Sequence, residues 1–207
     1  MTVTSETDAP KTYELDVWRK QTDSETLTLS HVVKPETETD VGSLSTQHPG
    51  QPTVSVSYAQ ATDRFYETGS SKQFFGGLTT QELLGEWDKY DFRLLGEKDA
   101  DGASAYELEG TLKPKIDSPI FKMVPLIRKE TFMPAWVRLF DSRGDEIRTY
   151  HILEYRLIEG RTVIWRTEII NNVRKTKVMI ELLSQSYPTS LDDNRLTREN
   201  LKRLVRK

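Results

Sequence analysis

From Phe92 to Ser184 the chain repeats one pattern: a run with apolar residues at alternate positions, a short turn, then another such run. FRLLGE leads through Asp99-Ala100-Asp101-Gly102 to SAYELEGTL, where Tyr106, Leu108 and Leu112 face one way and Glu107 and Glu109 the other. IFKMVPLIRKET, AWVRLFD, EIRTYHILEYRLI, TVIWRTEII and KTKVMIELLS follow. Period-two alternation of β-branched and aromatic residues argues half-buried strands. The joints are Met133-Pro134, Ser142-Arg143-Gly144-Asp145, Glu159-Gly160 and Asn171-Asn172. They supply the positive-φ residues or the fixed φ that tight hairpins require. Successive hairpins dictate an antiparallel meander. The region Asp141-Ser142-Arg143-Gly144 is therefore expected to be a tight turn between neighbouring strands.

The N-terminal half reads similarly. YELDVWRK sets Tyr13, Leu15 and Val17 against Glu14, Asp16 and Trp18; TLTLSHVV repeats the alternation, and TVSVSY and RFYET follow the turn-forming HPGQP. Residues 1–11 are rich in Thr, Ser and acid and are expected to be disordered. LTRENLKRLVRK at the other end spaces Leu201, Leu204 and Val205 on one helical face.

A long meander either closes into a barrel or curls into a half-barrel with something laid across its concave side. AWVRLFD favours the half-barrel, because both of its faces carry apolar bulk: Val137 and Leu139 on one, Trp136 and Phe140 on the other. TVIWRTEII does the same with Val163, Trp165 and Ile169 opposite Ile164 and Ile170. A solvent-backed sheet would show a cleaner polar face. The expected fold is thus mainly β (α+β), a strongly curved antiparallel half-barrel with short helices on its concave face and a C-terminal helix.

Composition narrows the function. The 207 residues carry a net charge of −3, from 29 basic and 32 acidic side chains, which offers nucleic acid no general attraction. No apolar run approaches the roughly 20 residues of a membrane helix. The absence of cysteine excludes disulfides, thiolate metal sites and a cysteine nucleophile. MTVTSETDAPK has neither the basic nor the apolar region of a secretory signal.

Catalytic patterns are missing. No nucleophile elbow, phosphate-binding glycine loop, HExxH or EF-hand loop occurs. His31 and His151 lie within strand patterns and His48 beside Pro49; each reads as structural or surface histidine. Asp88 and Asp91 read as a polar linker, not a metal pair. Arg195, Arg198, Lys202 and Arg206 form a basic stripe that fits either a solvated helix face or contact with an anionic surface. No catalytic residue, metal site or cofactor is expected. An enzyme using His151 and Glu154 as acid and base ranks last among the readings.

The stretch FFGGLTTQELLGEW interrupts the strands. Thr79 and Glu82 have capping-box spacing, and Leu83, Leu84 and Trp87 then share a face, which predicts a short helix over 79–87. Gly76-Gly77 before it can act as a hinge. The apolar face is either plain core or a lid over a cavity.

These pieces in order resemble the LolA-like superfamily, in its branch of outer-membrane lipoprotein-sorting proteins. The resemblance runs from about Tyr13 onward. It is carried by VWRK, KPETETDVGSL, FFGGLTTQELLGEW, YDFRLLGEKDADGASAYELEG, IRKETFMPAWVRLFDSRGDEIRTYHILEY and RLTRENLKRL. It implies that residues 12–207 form one lipid- or lipoprotein-binding domain holding an acyl chain between curved sheet and helices. It further implies a periplasmic or otherwise extracytoplasmic, non-enzymatic carrier. The expected ligand-binding residues are Phe65, Phe74, Phe75, Leu83, Leu84, Trp87, Trp136, Phe140 and Trp165. The alternative is a protein-interaction module working with a membrane transporter or envelope protein.

Overall fold

The computed structural model describes residues 2–5, 10–51, 53–68, 78, 85, 87–116 and 118–206. The described residues form two open antiparallel sheets and one α-helix. Strands β1 (Thr2–Ser5) and β2 (Lys11–Thr12) come first and belong to the larger sheet. The smaller sheet follows in chain order: β3 (Glu14–Gln21), β4 (Thr26–Lys34), β5 (Gly42–Gln47), β6 (Val54–Ala59) and β7 (Arg64–Thr68). The larger sheet then runs β8 (Tyr90–Ala100), β9 (Ala103–Leu112), β10 (Lys122–Arg128), β11 (Pro134–Phe140), β12 (Glu146–Ile158), β13 (Arg161–Asn171) and β14 (Thr176–Glu181). Every neighbouring pair from β8 to β14 is a hairpin, so the meander read from the sequence is present. No pairing among the described residues joins β8 to β2, which leaves a curved half-barrel and not a closed one.

Turn chemistry places the hairpins as expected. The Asp141 amide donates to the Asp145 carbonyl (3.0 Å) and the Gly144 amide to the Asp141 carbonyl (3.1 Å). The Asp141 carboxylate accepts from the amides of Arg143 and Asp145 (2.9 and 3.0 Å), which holds its pKa below the usual range despite partial desolvation. Gly144 sits at φ +87°. Asp101-Gly102 and Glu159-Gly160 likewise take paired positive φ values, +57°/+81° and +49°/+76°, the twist that matches flanking strands.

Within the N-terminal residues expected to be disordered, the described part is paired: β1 lies antiparallel to β14, with Val3 opposite Val178, and β2 pairs with β1. The Thr-Val-Thr run is β-branched, and adding it to the open edge of β14 satisfies backbone groups that composition alone does not reveal.

The helix α1 (Arg198–Val205) caps the smaller sheet. Thr197 accepts the Asn200 amide at its N-terminus (3.2 Å). Leu201 and Val205 are buried with Leu29, Leu44, Val56, Tyr58 and Leu196. Gly42 makes room for them: a Cβ there would stand 2.9 Å from Leu201 Cδ1 and 3.3 Å from Val205 Cγ2. The basic stripe is engaged with this sheet. Lys202 and Arg206 pair with Asp63 (2.6 and 2.8 Å), Arg206 Nε donates to the Tyr58 hydroxyl (2.8 Å), and Arg195 and Arg198 lie over the rings of Trp18 and Phe65.

The hydrogen bond from Lys202, then that from Tyr58, and the Arg206 charge lower the Asp63 pKa from 3.8 to about 2. A depressed carboxylate pKa adds stability that is present above the unfolded value and lost as pH falls through the folded one. Acid titration of wild type from pH 4 to about 2 should therefore release part of the helix docking, while Asp63→Asn should lack that component. Asn tolerates the left-handed backbone of Asp63 (φ +51°). Urea midpoints compared across this window read the difference; parallel pH profiles for both proteins would show that the clamp contributes nothing.

Candidate functional site

Register across the larger sheet defines its inner face. One row runs Phe92, Gly110, Met123, Leu139, Arg148, Asn171 through successive strand pairs. The next runs Pro125, Val137, Tyr150, Ile169, Val178. Most of these side chains are buried, and the two rows are apolar apart from Arg148, Asn171 and the Tyr150 hydroxyl. Gly110 belongs here for a reason: a Cβ would meet Phe92 Cε1 at 2.6 Å and Met123 Cγ at 2.9 Å. The missing side chain lets Phe92 lie across the sheet, where it stacks on Trp87 at 5.8 Å and 24°.

A cavity of about 200 Å³ opens on this face. Its floor is Met123, Val137, Leu139, Tyr150, Ile152 and Thr167, and Pro134 and Ile164 bound one end. Trp87, Gly85, Tyr90 and Ile120 bound the other. Trp87 opens a short 3-10 turn, Trp87–Lys89, its amide donating to the Gly85 carbonyl at 2.8 Å. The Tyr90 hydroxyl is engaged with the Ile120 carbonyl at 2.9 Å. Leu78 is buried nearby against Ile169 and Val178, with Tyr150 packed against both its cluster and that of Val137. An apolar cavity of about 150 Å³ can stay dry and take up benzene, so this one can hold a short stretch of hydrocarbon.

Among the expected ligand residues, Trp87 lines the cavity. Phe74, Phe75, Leu83 and Leu84 lie outside the described residues, as do most of the helix expected over 79–87 and the Gly76-Gly77 hinge. The other four are placed elsewhere. Trp136 and Phe140 alternate with Val137 and Leu139 and so take the outer face. There Trp136 stacks on His151 (3.6 Å, 10°) and Phe140 lies under Lys122. Trp165 is buried beneath the Arg156 guanidinium (3.9 Å), where the β12–β13 register shifts. Phe65 packs on Tyr58 in the smaller sheet.

The histidines have structural settings. His31 Nε2 meets the Thr39 carbonyl at 2.9 Å and His48 Nδ1 the Ser24 carbonyl at 3.1 Å. His151 Nε2 lies 3.2 Å from Asp101 Oδ2, and the same carboxylate accepts from Trp136 Nε1. Glu154 is engaged by Arg156 at 2.7 Å. His151 and Glu154 thus have separate partners, on the outer side of the sheet for His151. Asp88 and Asp91 fall in no cluster of metal-ligand residues among those described.

Sequence reasoning passed over Met123, Val137, Leu139, Tyr150, Ile152 and Ile164. The alternation of β11 separates an aliphatic set, buried in the structure, from a half-exposed aromatic set, but does not by itself say which faces inward.

A family model described as an uncharacterized protein matches residues 24–203. No curated protein matches the chain. Among solved structures, a putative outer membrane lipoprotein-sorting protein domain from Vibrio parahaemolyticus superposes with a TM-score of 0.88 at 18% identity, covering 97% of this chain and 88% of that one. A DUF1329 family protein from Desulfovibrio piger gives 0.86 at 18% identity with the same coverage. A LolA superfamily protein from Nitrosomonas europaea gives 0.77 at 15% identity, covering 96% and 87%. The fold is LolA-like.

Proposed function

Because the chain belongs to the family matched over residues 24–203 and has a LolA-like fold, we propose that it is a non-enzymatic carrier for the acyl chain of a lipid or lipoprotein. The observation that carries this reading is the apolar cavity on the inner face of the half-barrel, between Trp87 and the side chains of Met123, Val137 and Leu139. Binding draws its free energy from removing hydrocarbon from water, roughly 0.8 kcal/mol per methylene. Leu78 and Trp87, both from the stretch that interrupts the strands, pack on this face. The protein works outside the cytoplasm, handing its cargo to a membrane transporter or envelope protein.

Mass spectrometry of protein extracted under native conditions tests this. A bound acyl lipid, lost on delipidation and regained with a fluorescent fatty acid, is the expected result. Delipidated, folded protein that takes up no acyl probe would overturn it.

A second reading, a protein-interaction module, has one observation in its favour. Among the described residues β8 pairs on one side only, with β9, and exposes Leu94 and Leu95. Such an edge can accept a partner's strand. A pull-down that survives Leu94→Lys would remove this reading.

A further inference from the structure

Three described side chains stand further into solvent than any other large apolar group: Phe132, Leu157 and Leu183, each 73% exposed. All three lie at one end of the larger sheet. The turns of a meander alternate between its two ends, so the β10–β11 turn, the β12–β13 turn and the chain leaving β14 meet at the same one. Contacts tie these segments together there. The Tyr155 hydroxyl donates to the Pro134 carbonyl, the Arg128 guanidinium lies over the Tyr155 ring at 5.7 Å, and the Leu182 amide donates to the Trp165 carbonyl at 2.9 Å. Pro134 and Ile164, which bound one end of the cavity, belong to this end of the sheet.

Two features set these tips out. Phe132 holds a left-handed backbone (φ +54°), its amide donating to the Arg128 carbonyl at 2.9 Å. A bulky residue adopts that conformation at a cost that glycine would avoid, and strain of this kind gathers at functional positions. Leu157 rides on a two-stranded ribbon. β12 and β13 stay paired out to Ile158 and Arg161, while the β11–β12 ladder stops at His151 and the β13–β14 ladder at Arg166. Charges of both signs flank the tips: Arg128, Lys129 and Glu130 on one turn, Arg156, Glu159 and Arg161 on the next. Single apolar side chains on separate tips bury far less than the roughly 800 Å² per partner of a stable protein interface. Each can nevertheless enter the hydrocarbon boundary of a bilayer while neighbouring Lys and Arg reach its head groups.

We infer that this end of the half-barrel docks on a phospholipid surface, with Phe132, Leu157 and Leu183 as the side chains that enter it. The choice of a lipid partner rests on the carrier reading and deepens it: docking brings the cavity end at Pro134 and Ile164 against the membrane that gives or takes the acyl chain. The contact draws on apolar burial and not on net charge, so neutral lipid suffices.

Flotation of the protein with phosphatidylcholine vesicles tests this. Wild type should bind, and binding should survive about 1 M salt, where charges are screened beyond about 3 Å. Phe132→Gly should weaken binding roughly tenfold, the order expected when one large apolar side chain is withdrawn from lipid. Its urea midpoint should be no lower than that of wild type, because glycine relieves the turn. Leu157→Ser and Leu183→Ser should weaken binding similarly at unchanged midpoint. Val173→Ser should not, since Val173, 68% exposed, stands between β13 and β14 at the opposite end. The chain has no cysteine, so an environment-sensitive dye can be attached to Leu157→Cys or to Val173→Cys alone. Vesicles should shift its emission to the blue at the first position and leave it unchanged at the second.

Failure of wild type to bind vesicles would overturn the docking and leave this end to a protein partner or a second copy, and this measurement needs no variant to fold. Full retention of binding by all three tip variants would also overturn it, as would loss of binding at high salt or a blue shift at position 173 in place of 157. Uptake of a fatty acid from solution without vesicle binding removes the docking and keeps the carrier reading. Vesicle binding by protein that takes up no fatty acid does the reverse.

Discussion

Replacing Leu201 by Ala is expected to cost about 2–5 kcal/mol of unfolding free energy, the range for a buried leucine whose cavity cannot collapse. Leu201 has no exposed surface and stands at the centre of the cluster formed by Leu29, Leu44, Val56 and Tyr58. The site is rigid on the sheet side, because Gly42 lets the helix approach the backbone of β5 directly. Relaxation into the void would have to move a strand paired on both sides. The urea midpoint should fall with an unchanged slope. Arg198→Ala, whose guanidinium lies over the Phe65 ring 5.8 Å from its centre, should change stability by no more than about 0.5 kcal/mol. A Leu201→Ala loss below about 1 kcal/mol would mean that α1 is peripheral to the smaller sheet and that the clamp on Asp63 does not hold a structural element.

What the sequence revealed and what it hid follow from which forces act locally. The turn at Asp141–Gly144 was legible because its determinants are adjacent: an aspartate accepting two nearby amides and a glycine at positive φ. The pairing of β1 with β14 was not, since it joins residues about as far apart as the chain allows, with Thr2 opposite Met179. TVSVSY carries serine at alternate positions, a polar face along the strand. Its serines are nevertheless buried, and Ser55 exchanges a hydrogen bond with Ser45 across the strand pair at 2.8 Å while Val56 and Tyr58 face the helix. Cross-strand satisfaction of a hydroxyl is invisible along a single strand. Which face of β11 lines the cavity was not legible for a related reason. Bulk on both faces leaves the inner one undecided until the register from Phe92 through Gly110 and Met123 to Leu139 is known. Aromatic size suggested Trp136 and Phe140, but the large rings sit outside, where His151 and Lys122 pack on them.

That distinction between faces makes the strongest test of function. Val137→Phe should weaken binding of a fluorescent fatty acid by roughly fiftyfold. Val137 projects into the middle of the cavity floor beside Tyr150. The added ring carbons displace about three methylenes of ligand, each contributing about 0.8 kcal/mol. Because the ring fills existing space, stability should change by less than the 1–3 kcal/mol usual for overpacking a dense core. Trp136→Ala, one residue earlier on the outer face, should leave probe affinity unchanged. It loses the His151 stack and the hydrogen bonds to Asp101, so any cost should appear in the melt. Trp87→Ala should resemble Val137→Phe in direction. Trp87 is half-buried and stacks on Phe92, so its loss should cost less than the roughly 3–5 kcal/mol of a fully buried tryptophan while opening one end of the cavity. A probe whose affinity follows Trp136 and ignores Val137 would place the binding surface on the outside of the half-barrel. Equal losses for both variants in step with their melting temperatures would mean that the probe reports folding alone, and the cavity would then be a packing gap without a ligand.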